Sequence, residues 1–253
     1  MEQPIALITG ATAGIGLETA RLLSQHNYAL ILTGRRMDRL EALKEELEQN
    51  GANIYLLNFD IRSKQEVDRA LASLPEEWKA VEVLLNNAGL AAGLDTVSHA
   101  DVDDWETMID TNVKGLLYIT QTVSNWMIAR QRGHIISISS IAGKEAYPMG
   151  SVYCGTKHAV NAISKAMRME LAPHNIKVST ISPGAVETEF SLVRFHGDQE
   201  KAGKVYEGFT PLCAKDIAET IYFVLSRPVH VNIDDILIMP TAQASARDIF
   251  RKK

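Results

Sequence analysis

The sequence of 253 residues has little cysteine, no excess of positive charge and no long apolar run. Its two cysteines, Cys154 and Cys213, are too few for a disulfide framework and fit a reducing compartment. A formal net charge of −5 argues against a general phosphate-backbone binder, so we expect no nucleic-acid partner. No apolar run approaches the ~20 residues that span a bilayer, and no signal-peptide pattern opens the chain. We therefore expect a soluble cytoplasmic protein without a membrane partner.

A metal centre and a catalytic thiol are also disfavoured. The seven histidines have no spacing typical of metal ligands, so we expect no metal. Cys154 adjoins Tyr153 and therefore points to a different helix face, so it is not expected to act as a nucleophile. An apolar content of 46% is nevertheless typical of a protein with a packed core.

Strand-like apolar runs alternate with helix-like segments along the whole chain. This order predicts an α/β fold: a Rossmann-type doubly wound parallel sheet of about seven strands with helices on both faces. No linker divides the chain, so residues 1–253 are predicted to form a single domain, with a substrate lid at about 186–212. Ser63 and Glu66 predict a capping box. The strands are predicted at 5–8, 28–33, 54–59, 81–85, 134–138, 176–181 and 235–239, and the main helices at 17–26, 37–50, 101–129, 151–171 and 216–225.

A glycine-rich turn follows the first predicted strand, in the segment Thr9-Gly10-Ala-Thr-Ala-Gly14-Ile-Gly16. Strand, glycine turn and helix together offer backbone N–H groups and a helix N-terminus to a pyrophosphate. The alternative is a plain strand-to-helix turn, which would need only one glycine. Three glycines within seven residues favour the dinucleotide interpretation.

Tyr153 and Lys157 lie four residues apart on a predicted helix and share one face. A cation beside a phenol favours the phenolate and lowers a pKa that is normally near ~10. Tyr153 is therefore a candidate proton-transfer group for oxidising an alcohol or reducing a carbonyl. The alternative is that a Tyr-x-x-x-Lys pattern arises on this helix by chance.

These motifs occur together in an order that resembles the short-chain dehydrogenase/reductase family over essentially the whole chain. They are Thr9-Gly-x-x-x-Gly-x-Gly16, Asn86-Asn-Ala-Gly89, Asn112, Ser140, Tyr153-x-x-x-Lys157 and Pro183-Gly184. The segments 186–195 and 239–251 resemble the branch of NADP-dependent 3-hydroxy acid dehydrogenases. Members of that branch also oxidise L-serine and L-allo-threonine at the 3-hydroxyl. A broad carbonyl or 3-oxoacyl reductase, and a non-catalytic NADP-binding regulator, are the alternatives.

The resemblance implies a role for each of four residues. Tyr153 would exchange a proton with the substrate oxygen, and Lys157 would keep it partly ionised and bind the nicotinamide ribose. Ser140 would hydrogen-bond the substrate oxygen and stabilise the charge that develops on it. Asn112 would bend its helix and hold a water that relays the proton, although an ordinary mid-helix asparagine is the alternative.

The choice of NADP depends on Arg35 and Arg36, at the end of the second predicted strand. NAD enzymes place a carboxylate there, whereas guanidinium groups suit a 2′-phosphate. The alternative is that both are surface charges at the start of the next helix. The predicted cofactor contacts are Gly10, Thr12, Gly14, Ile15, Gly16, Arg35, Arg36, Asp60, Ile61, Asn87, Ala88, Gly89, Tyr153, Lys157, Pro183, Gly184, Val186 and Thr188.

A carboxylate substrate requires a cationic or strong donor partner, because its burial is otherwise costly. Arg194 in the predicted lid is the first candidate for this partner, and Lys144 after Ser140 is the second; either could be a solvated surface charge. The helix at 151–171 is apolar around much of its circumference. We therefore predict a homotetramer that assembles through the helices at about 102–129 and 151–171, although a crowded monomer core is the alternative.

Overall fold

The computed structural model describes residues 3–252, which contain a parallel sheet of seven strands in the spatial order β3-β2-β1-β4-β5-β6-β9. The order reverses at β1, whose neighbours are β2 and β4, so a crevice opens between the connections at that point. The predicted doubly wound fold is confirmed. The strands are β1 (Ile5–Thr9), β2 (Ala29–Gly34), β3 (Ile54–Asn58), β4 (Val81–Asn86), β5 (Gly133–Ile138), β6 (Ile176–Pro183), the short parallel pair β7 (Val186–Glu187) and β8 (Leu212–Cys213), and β9 (Asp235–Ile238).

The central strands are buried on both faces, which explains why they read as continuous apolar runs rather than as alternating ones. Every residue of β1 is buried, and successive side chains enter opposite cores. Leu7 and Ile31 contribute to the core on one face of the sheet. Ile8 and Leu30 contribute to the core on the other. The sheet is therefore covered by helices on both sides.

Nine α-helices accompany the sheet in the described part of the chain. α6 packs on β6, α3 on α5, and α1 on α9, while the short helices α7 and α8 lie in the segment predicted as a lid. Within residues 3–252, no helix has both the length and the apolar character needed to cross a bilayer. The helices are α1 (Gly14–Gln25), α2 (Met37–Glu48), α3 (Lys64–Ala72), α4 (Val102–Ile109), α5 (Leu116–Arg130), α6 (Ser151–Leu171), α7 (Phe190–Arg194), α8 (Gln199–Lys204) and α9 (Ala214–Leu225).

The helical stretch predicted at 101–129 contains one irregular turn. A π-helical turn at Asp110–Gly115 separates α4 from α5. Asn112 lies in this turn, and its buried amide binds the backbone of Leu90 through two hydrogen bonds of 2.8 Å. Wide turns of this kind are typical of functional positions in helices. The predicted helical stretch is therefore present, and its wide turn lies where the resemblance implied a bend.

The predicted capping box before α3 is only half formed. Ser63 Oγ accepts a hydrogen bond from Glu66 N at 3.3 Å, as the motif requires. The Glu66 carboxylate does not return to the N-cap, but accepts from Asp60 N at 2.9 Å. The backbone N–H of Ser63 donates instead to Asp60 O. Glu66 is thus used to hold the loop that follows β3.

Candidate active site

A cleft of about 360 Å³ opens at the carboxyl ends of β1, β2, β4, β5 and β6, next to the point where the strand order reverses. This is where open parallel sheets bind their ligands. Nearly all of the residues predicted to contact the cofactor line it: Gly10, Thr12, Gly14, Ile15, Arg35, Arg36, Asp60, Ile61, Asn87, Ala88, Gly89, Tyr153, Lys157, Pro183, Gly184, Val186 and Thr188. Gly16, the remaining one, lies behind the glycine turn.

The glycine turn has the shape that a pyrophosphate requires. Gly10 and Gly14 have φ values of 67° and 54°, a region that side-chain-bearing residues rarely adopt. A Cβ on Gly16 would lie 2.5 Å from Gly10 O and 2.6 Å from Asn87 Nδ2, so any side chain there would push the turn open. The N-cap residue of α1, Ala13, has no side chain that could accept from the first N–H groups of the helix. Those donors therefore fit an anionic ligand.

Thr9, at the end of β1, ties the glycine turn to the loop after β4. Its hydroxyl oxygen accepts from the backbone N–H groups of Asn87 and Ala88, both at 2.9 Å, and donates to Leu85 O. Asn87 Nδ2 donates in return to Thr9 O at 2.8 Å. These contacts hold Ala88 and Gly89 at the floor of the cleft.

The two arginines of the predicted 2′-phosphate site have different surroundings. Arg36 donates to Thr12 Oγ1 at 2.9 and 3.2 Å and to the Glu189 carboxylate at 2.9 Å. Arg35 is more exposed, and its nearest carboxylate is Asp60 at 3.9 Å. Arg35 therefore has more donors available for a ligand than Arg36 has.

Asp60 lines the cleft below Arg35 and is closely paired with Arg62. The Arg62 guanidinium approaches its carboxylate to 2.6 Å, and Arg62 N donates to it at 3.0 Å. Partial burial acts to raise the pKa of Asp60, but the hydrogen bonds from Arg62 outweigh it and hold the pKa below its usual range. Asp60 thus caps the turn before Ser63 and also borders the cleft, as predicted for a cofactor contact.

The predicted catalytic residues Ser140, Tyr153 and Lys157 converge at the other end of the cleft. Lys157 Nζ lies 5.9 Å from the centroid of the Tyr153 ring and donates to Ile138 O at 2.9 Å. Ser140 Oγ accepts from Ala142 N at 3.1 Å, which orients the hydroxyl at the start of the loop after β5. Tyr153 and Lys157 share one face of α6, as their spacing predicts, and both are buried.

The pKa of the phenol is not lowered in this arrangement, contrary to the sequence-based prediction. Burial raises the pKa of Tyr153 well above its usual value, and the neighbouring Tyr147 adds to the effect. A hydrogen bond with Ser140 and the charge of Arg194 act in the opposite direction but do not outweigh it. Burial also lowers the pKa of Lys157 to about 8. Desolvation therefore exceeds the influence of the amine, which is bonded to the backbone rather than to the phenol.

Asn112 lies behind the cleft with its side chain fully engaged. Besides its two bonds to Leu90, its Nδ2 donates to Thr156 Oγ1 at 3.1 Å. A Cβ on Gly89 would approach Asn112 Oδ1 to 3.1 Å and Lys157 Nζ to 3.3 Å, so only glycine permits this packing without displacement. The side chain of Asn112 thus holds the π-helical turn, and its part in a water relay stays a prediction.

Thr188 and Gly184 connect the cleft to the predicted lid and to the carboxyl-terminal segment. Thr188 Oγ1 accepts from Phe190 N at 3.2 Å, and a Cβ on Gly14 would lie 3.3 Å from its methyl group. Thr188 therefore caps α7 and faces the glycine turn at the same time. A Cβ on Gly184 would lie 2.4 Å from Gln243 Oε1, so the tail packs directly on the Pro-Gly turn.

Arg194 places a positive charge beside the phenol. Its guanidinium carbon is 5.6 Å from the centroid of the Tyr153 ring, and its Nη2 donates to the Tyr147 hydroxyl at 3.1 Å. Its Nε donates to Gly93 O at 3.3 Å. Lys144, the second candidate for binding a carboxylate, forms an ion pair with Asp235 outside the cleft. The structure therefore favours Arg194 and gives no support to Lys144.

A scan against protein families matches residues 4–198 to the short chain dehydrogenase family. The chain belongs to the short-chain dehydrogenase family. Members at high similarity include the NADP-dependent 3-hydroxy acid dehydrogenase YdfG of Salmonella typhi, 48% identical over 96% of this chain and 97% of the relative. An NADP-dependent 3-hydroxy acid dehydrogenase of Schizosaccharomyces pombe is 42% identical over 98% and 96%. The family predicted from the motifs is confirmed.

Solved structures of family members superpose closely on the whole chain. A closed form of serine dehydrogenase complexed with NADP⁺ is 44% identical and gives a TM-score of 0.93 over 98% of this chain and 100% of the other. Serine dehydrogenase from Escherichia coli is 40% identical and gives a TM-score of 0.83 over 95% and 99%. These family members support the predicted sheet topology and agree with NADP as the predicted cofactor.

Several residues around the site of this short-chain dehydrogenase were not singled out by sequence reasoning. Glu189 and Arg39 complete the ion-pair cluster around Arg36, and Tyr147 binds Arg194. Gln243 accepts from Ala185 N at 2.8 Å and so fixes the start of the lid. Most of these contacts join residues far apart in the sequence, which spacing alone cannot pair. Within residues 3–252, no cluster of three or more His, Cys, Asp or Glu side chains could hold a metal ion.

Proposed function

We propose that this protein is an NADP-dependent 3-hydroxy acid dehydrogenase that transfers hydride between C3 of its substrate and NADP. The observation that carries the proposal is the convergence of Ser140, Tyr153 and Lys157 in one cleft, with the Arg194 guanidinium beside the phenol. The names of the relatives at 42–48% identity support the same substrate class. L-Serine, L-allo-threonine and 3-hydroxypropionate are the proposed substrates, since each carries a 3-hydroxyl and a carboxylate.

The residues of the cleft suit NADP along its whole length. The glycine turn and the N-terminus of α1 would hold the pyrophosphate, and Arg35 would bind the 2′-phosphate. Asn87 and Ala88 would border the adenine ribose, whereas Lys157 would bind the nicotinamide ribose. When bound, NADP⁺ supplies the hydride acceptor and a positively charged ring.

Tyr153 acts as the general base in alcohol oxidation and as the general acid in carbonyl reduction. Its raised pKa means that the phenol needs additional positive charge in the cleft before it gives up its proton. The charge of Arg194 already offsets part of the effect of burial, and the positively charged ring of bound NADP⁺ would supply more. Ser140 hydrogen-bonds the same substrate oxygen and stabilises the charge that develops on it. The backbone of the π-helical turn at Asn112 would hold a water that carries the proton away.

Arg194 is the proposed partner of the substrate carboxylate. Phe190, on the same short helix, packs its ring 5.7 Å from the Tyr153 ring. A carboxylate that is buried beside these rings is stable only when it is paired. A guanidinium presents two parallel donors to a carboxylate, which orients C3 as well as binding the acid.

An assay that follows the absorbance of NADPH tests the proposal directly. Purified protein is mixed with NADP⁺ and L-serine, L-allo-threonine or 3-hydroxypropionate, and the formation of NADPH is followed. We expect turnover with hydroxy acids. Reduction of ketones with NADPH, without any oxidation of hydroxy acids, would identify a broad carbonyl or 3-oxoacyl reductase. Binding of NADPH without turnover on a wide panel would identify a non-catalytic regulator.

Replacing Arg35 by alanine is expected to weaken the binding of NADP⁺ far more than that of NAD⁺. Loss of one charge-assisted hydrogen bond, about 1.5–3 kcal/mol, predicts at least a ~10-fold loss of discrimination. Arg36→Ala is expected to weaken the binding of both cofactors, because Arg36 also holds Thr12 of the glycine turn. Dissociation constants for the two cofactors, measured by calorimetry, check this. An equal effect of Arg35→Ala on both would remove Arg35 from 2′-phosphate recognition.

The oligomer is proposed to be a homotetramer formed through the helices at 102–129 and 151–171. These helices expose large apolar side chains that a monomer would leave in water: Val102, Ile109, Leu117 and Met169. Light scattering is expected to give four times the mass of one chain; the mass of a monomer would contradict the proposal. Cys154 and Cys213 form no disulfide, which is compatible with a reducing compartment. The proposed location is therefore the cytoplasm.

A further inference from the structure

Glu189 bridges two arginines that lie about 150 positions away in the sequence. It directly precedes α7, and its two carboxylate oxygens accept separately: one from Arg36 at 2.9 Å and the other from Arg39 at 2.7 Å. Arg36 directly precedes α2, and Arg39 lies in its first turn. The carboxylate therefore connects the lid to the second βα connection, across the mouth of the cleft.

The bridge continues into the glycine turn. The Arg36 guanidinium that binds Glu189 through Nη1 also donates through Nε and Nη2 to Thr12 Oγ1. Thr12 is part of the turn that fits the pyrophosphate. One guanidinium thus joins the phosphate-binding turn and the lid, which leaves Arg35 as the arginine with free donors.

The opposite end of α7 is anchored at the proposed reaction centre. Arg194, its last residue, binds Tyr147 and Gly93, and Phe190 at its start packs on Tyr153. α7, a helix of five residues, therefore lies along the wall of the cleft: Glu189, which precedes it, is attached to the arginines, and the first and last residues of the helix both lie beside Tyr153.

We propose that Glu189 is a positioning residue: its bridge to Arg36 and Arg39 holds α7 across the cleft, so that Phe190 and Arg194 stay beside Tyr153. It touches neither the reacting atoms nor, in this arrangement, the proposed substrate. It acts through the placement of α7. The inference rests on the proposed binding of NADP in this cleft, and its first test does not depend on which alcohol is the substrate.

The ion pairs of Glu189 with Arg36 and Arg39 are weak enough to form and break reversibly, so we call this contact a latch. The side chains of Glu189, Arg36 and Arg39 are 42%, 41% and 44% exposed, so each ion pair is hydrated and weakened by salt. Hydrogen bonds from Arg39 and Arg36 keep the pKa of Glu189 below its usual range, so the carboxylate stays charged at neutral pH. Such a contact can hold the lid and still release it when the cofactor enters or leaves.

The first test uses the free protein, without cofactor or substrate. In Glu189→Gln, amide hydrogen exchange of the segment 190–204 is expected to become about fivefold faster than in the wild type, as two weak ion pairs predict. High salt should speed the same exchange in the wild type and have little effect in the variant. Glu187→Gln is the matched control, because Glu187 is an exposed lid carboxylate with no ion pair to another residue of 3–252. Unchanged exchange in Glu189→Gln, or equal changes in both variants, would overturn the proposal.

The second test separates positioning from general stability. Glu189→Gln is expected to raise the KM for the hydroxy acid and the rate of NADPH release, each by about fivefold. Its midpoint of thermal unfolding should equal that of the control variant Glu187→Gln. Arg39→Gln should reproduce part of the effect. The double variant should be no worse than Glu189→Gln, because Glu189→Gln already removes the ion pair with Arg39. Additive effects of the two substitutions would show that they act separately and would contradict the latch.

The two proposals fail in distinguishable ways. If the wild type oxidises no hydroxy acid but lid exchange and NADPH release both respond to Glu189→Gln, the substrate class is wrong and the latch stands. If hydroxy acids are oxidised and neither measurement responds, the latch is wrong and the proposed function stands.

Discussion

Replacing Tyr153 by phenylalanine is expected to lower kcat for hydroxy acid oxidation by about 10²–10⁴-fold, the usual contribution of a positioned general base. The phenyl ring keeps the packing against Phe190, so the cleft is expected to bind NADPH with unchanged affinity. Steady-state kinetics and a fluorescence titration of NADPH measure the two effects on one sample. Activity near that of the wild type would remove Tyr153 from the mechanism.

A matched control makes that result specific to the hydroxyl. Tyr55→Phe removes a hydroxyl from a tyrosine that packs on Trp78, away from the cleft, and should leave kcat unchanged. The pH dependence adds a second test. Because burial raises the pKa of Tyr153, oxidation by the wild type should become faster as the pH rises and the phenol ionises, whereas the residual rate of Tyr153→Phe should lack this component.

Replacing Arg194 by glutamine is expected to lower kcat/KM for 3-hydroxy acids by about 30-fold or more. Removing one partner of a desolvated charge pair costs roughly 2–5 kcal/mol, mainly because the other charge is left without compensation. The loss should appear in KM, since the carboxylate is bound in the ground state as well as in the transition state. Kinetics with 3-hydroxypropionate measure it.

An uncharged substrate separates recognition of the carboxylate from damage to α7. The methyl ester of the same hydroxy acid has no carboxylate, so its kcat/KM should change little between the wild type and Arg194→Gln. Arg194→Lys keeps the charge but loses the parallel donors, so its kcat/KM for the hydroxy acid should lie between those of the wild type and Arg194→Gln. Equal losses with acid and ester would assign Arg194 to the structure of the lid alone.

The candidate catalytic residues could be located from the sequence because their geometry is local. Tyr153 and Lys157 share a face of α6 through the periodicity of any helix. The glycine turn follows a buried strand and begins α1, so its place in the fold is determined by neighbours in the sequence. Ser140 lies at the carboxyl end of β5, where all parallel strands of the sheet direct their loops towards one edge.

Other parts of the site depend on contacts that no local pattern contains. The π-helical turn at Asp110–Gly115 arises where the Asn112 amide reaches the backbone of Leu90, 22 residues earlier. The pKa of Tyr153 depends on how completely the fold removes water from the phenol, and the spacing to Lys157 does not report burial. The pairing of Arg36 with Glu189 joins residues 153 positions apart.

The amino-acid sequence by itself therefore determined the α/β class, the alternation of strands and helices along the chain and the residues that form the glycine turn and the Tyr-x-x-x-Lys pair. These follow from periodicity, from steric freedom at glycine and from the single edge to which parallel strands point. Only the tertiary structure decided that Arg36 is held by the lid while Arg35 is available, that Arg194 rather than Lys144 lies beside the phenol, and that burial outweighs the amine at Tyr153. The physical reason is that charge pairing and desolvation depend on distances between segments remote in the chain, which are set only when the lid packs over the sheet.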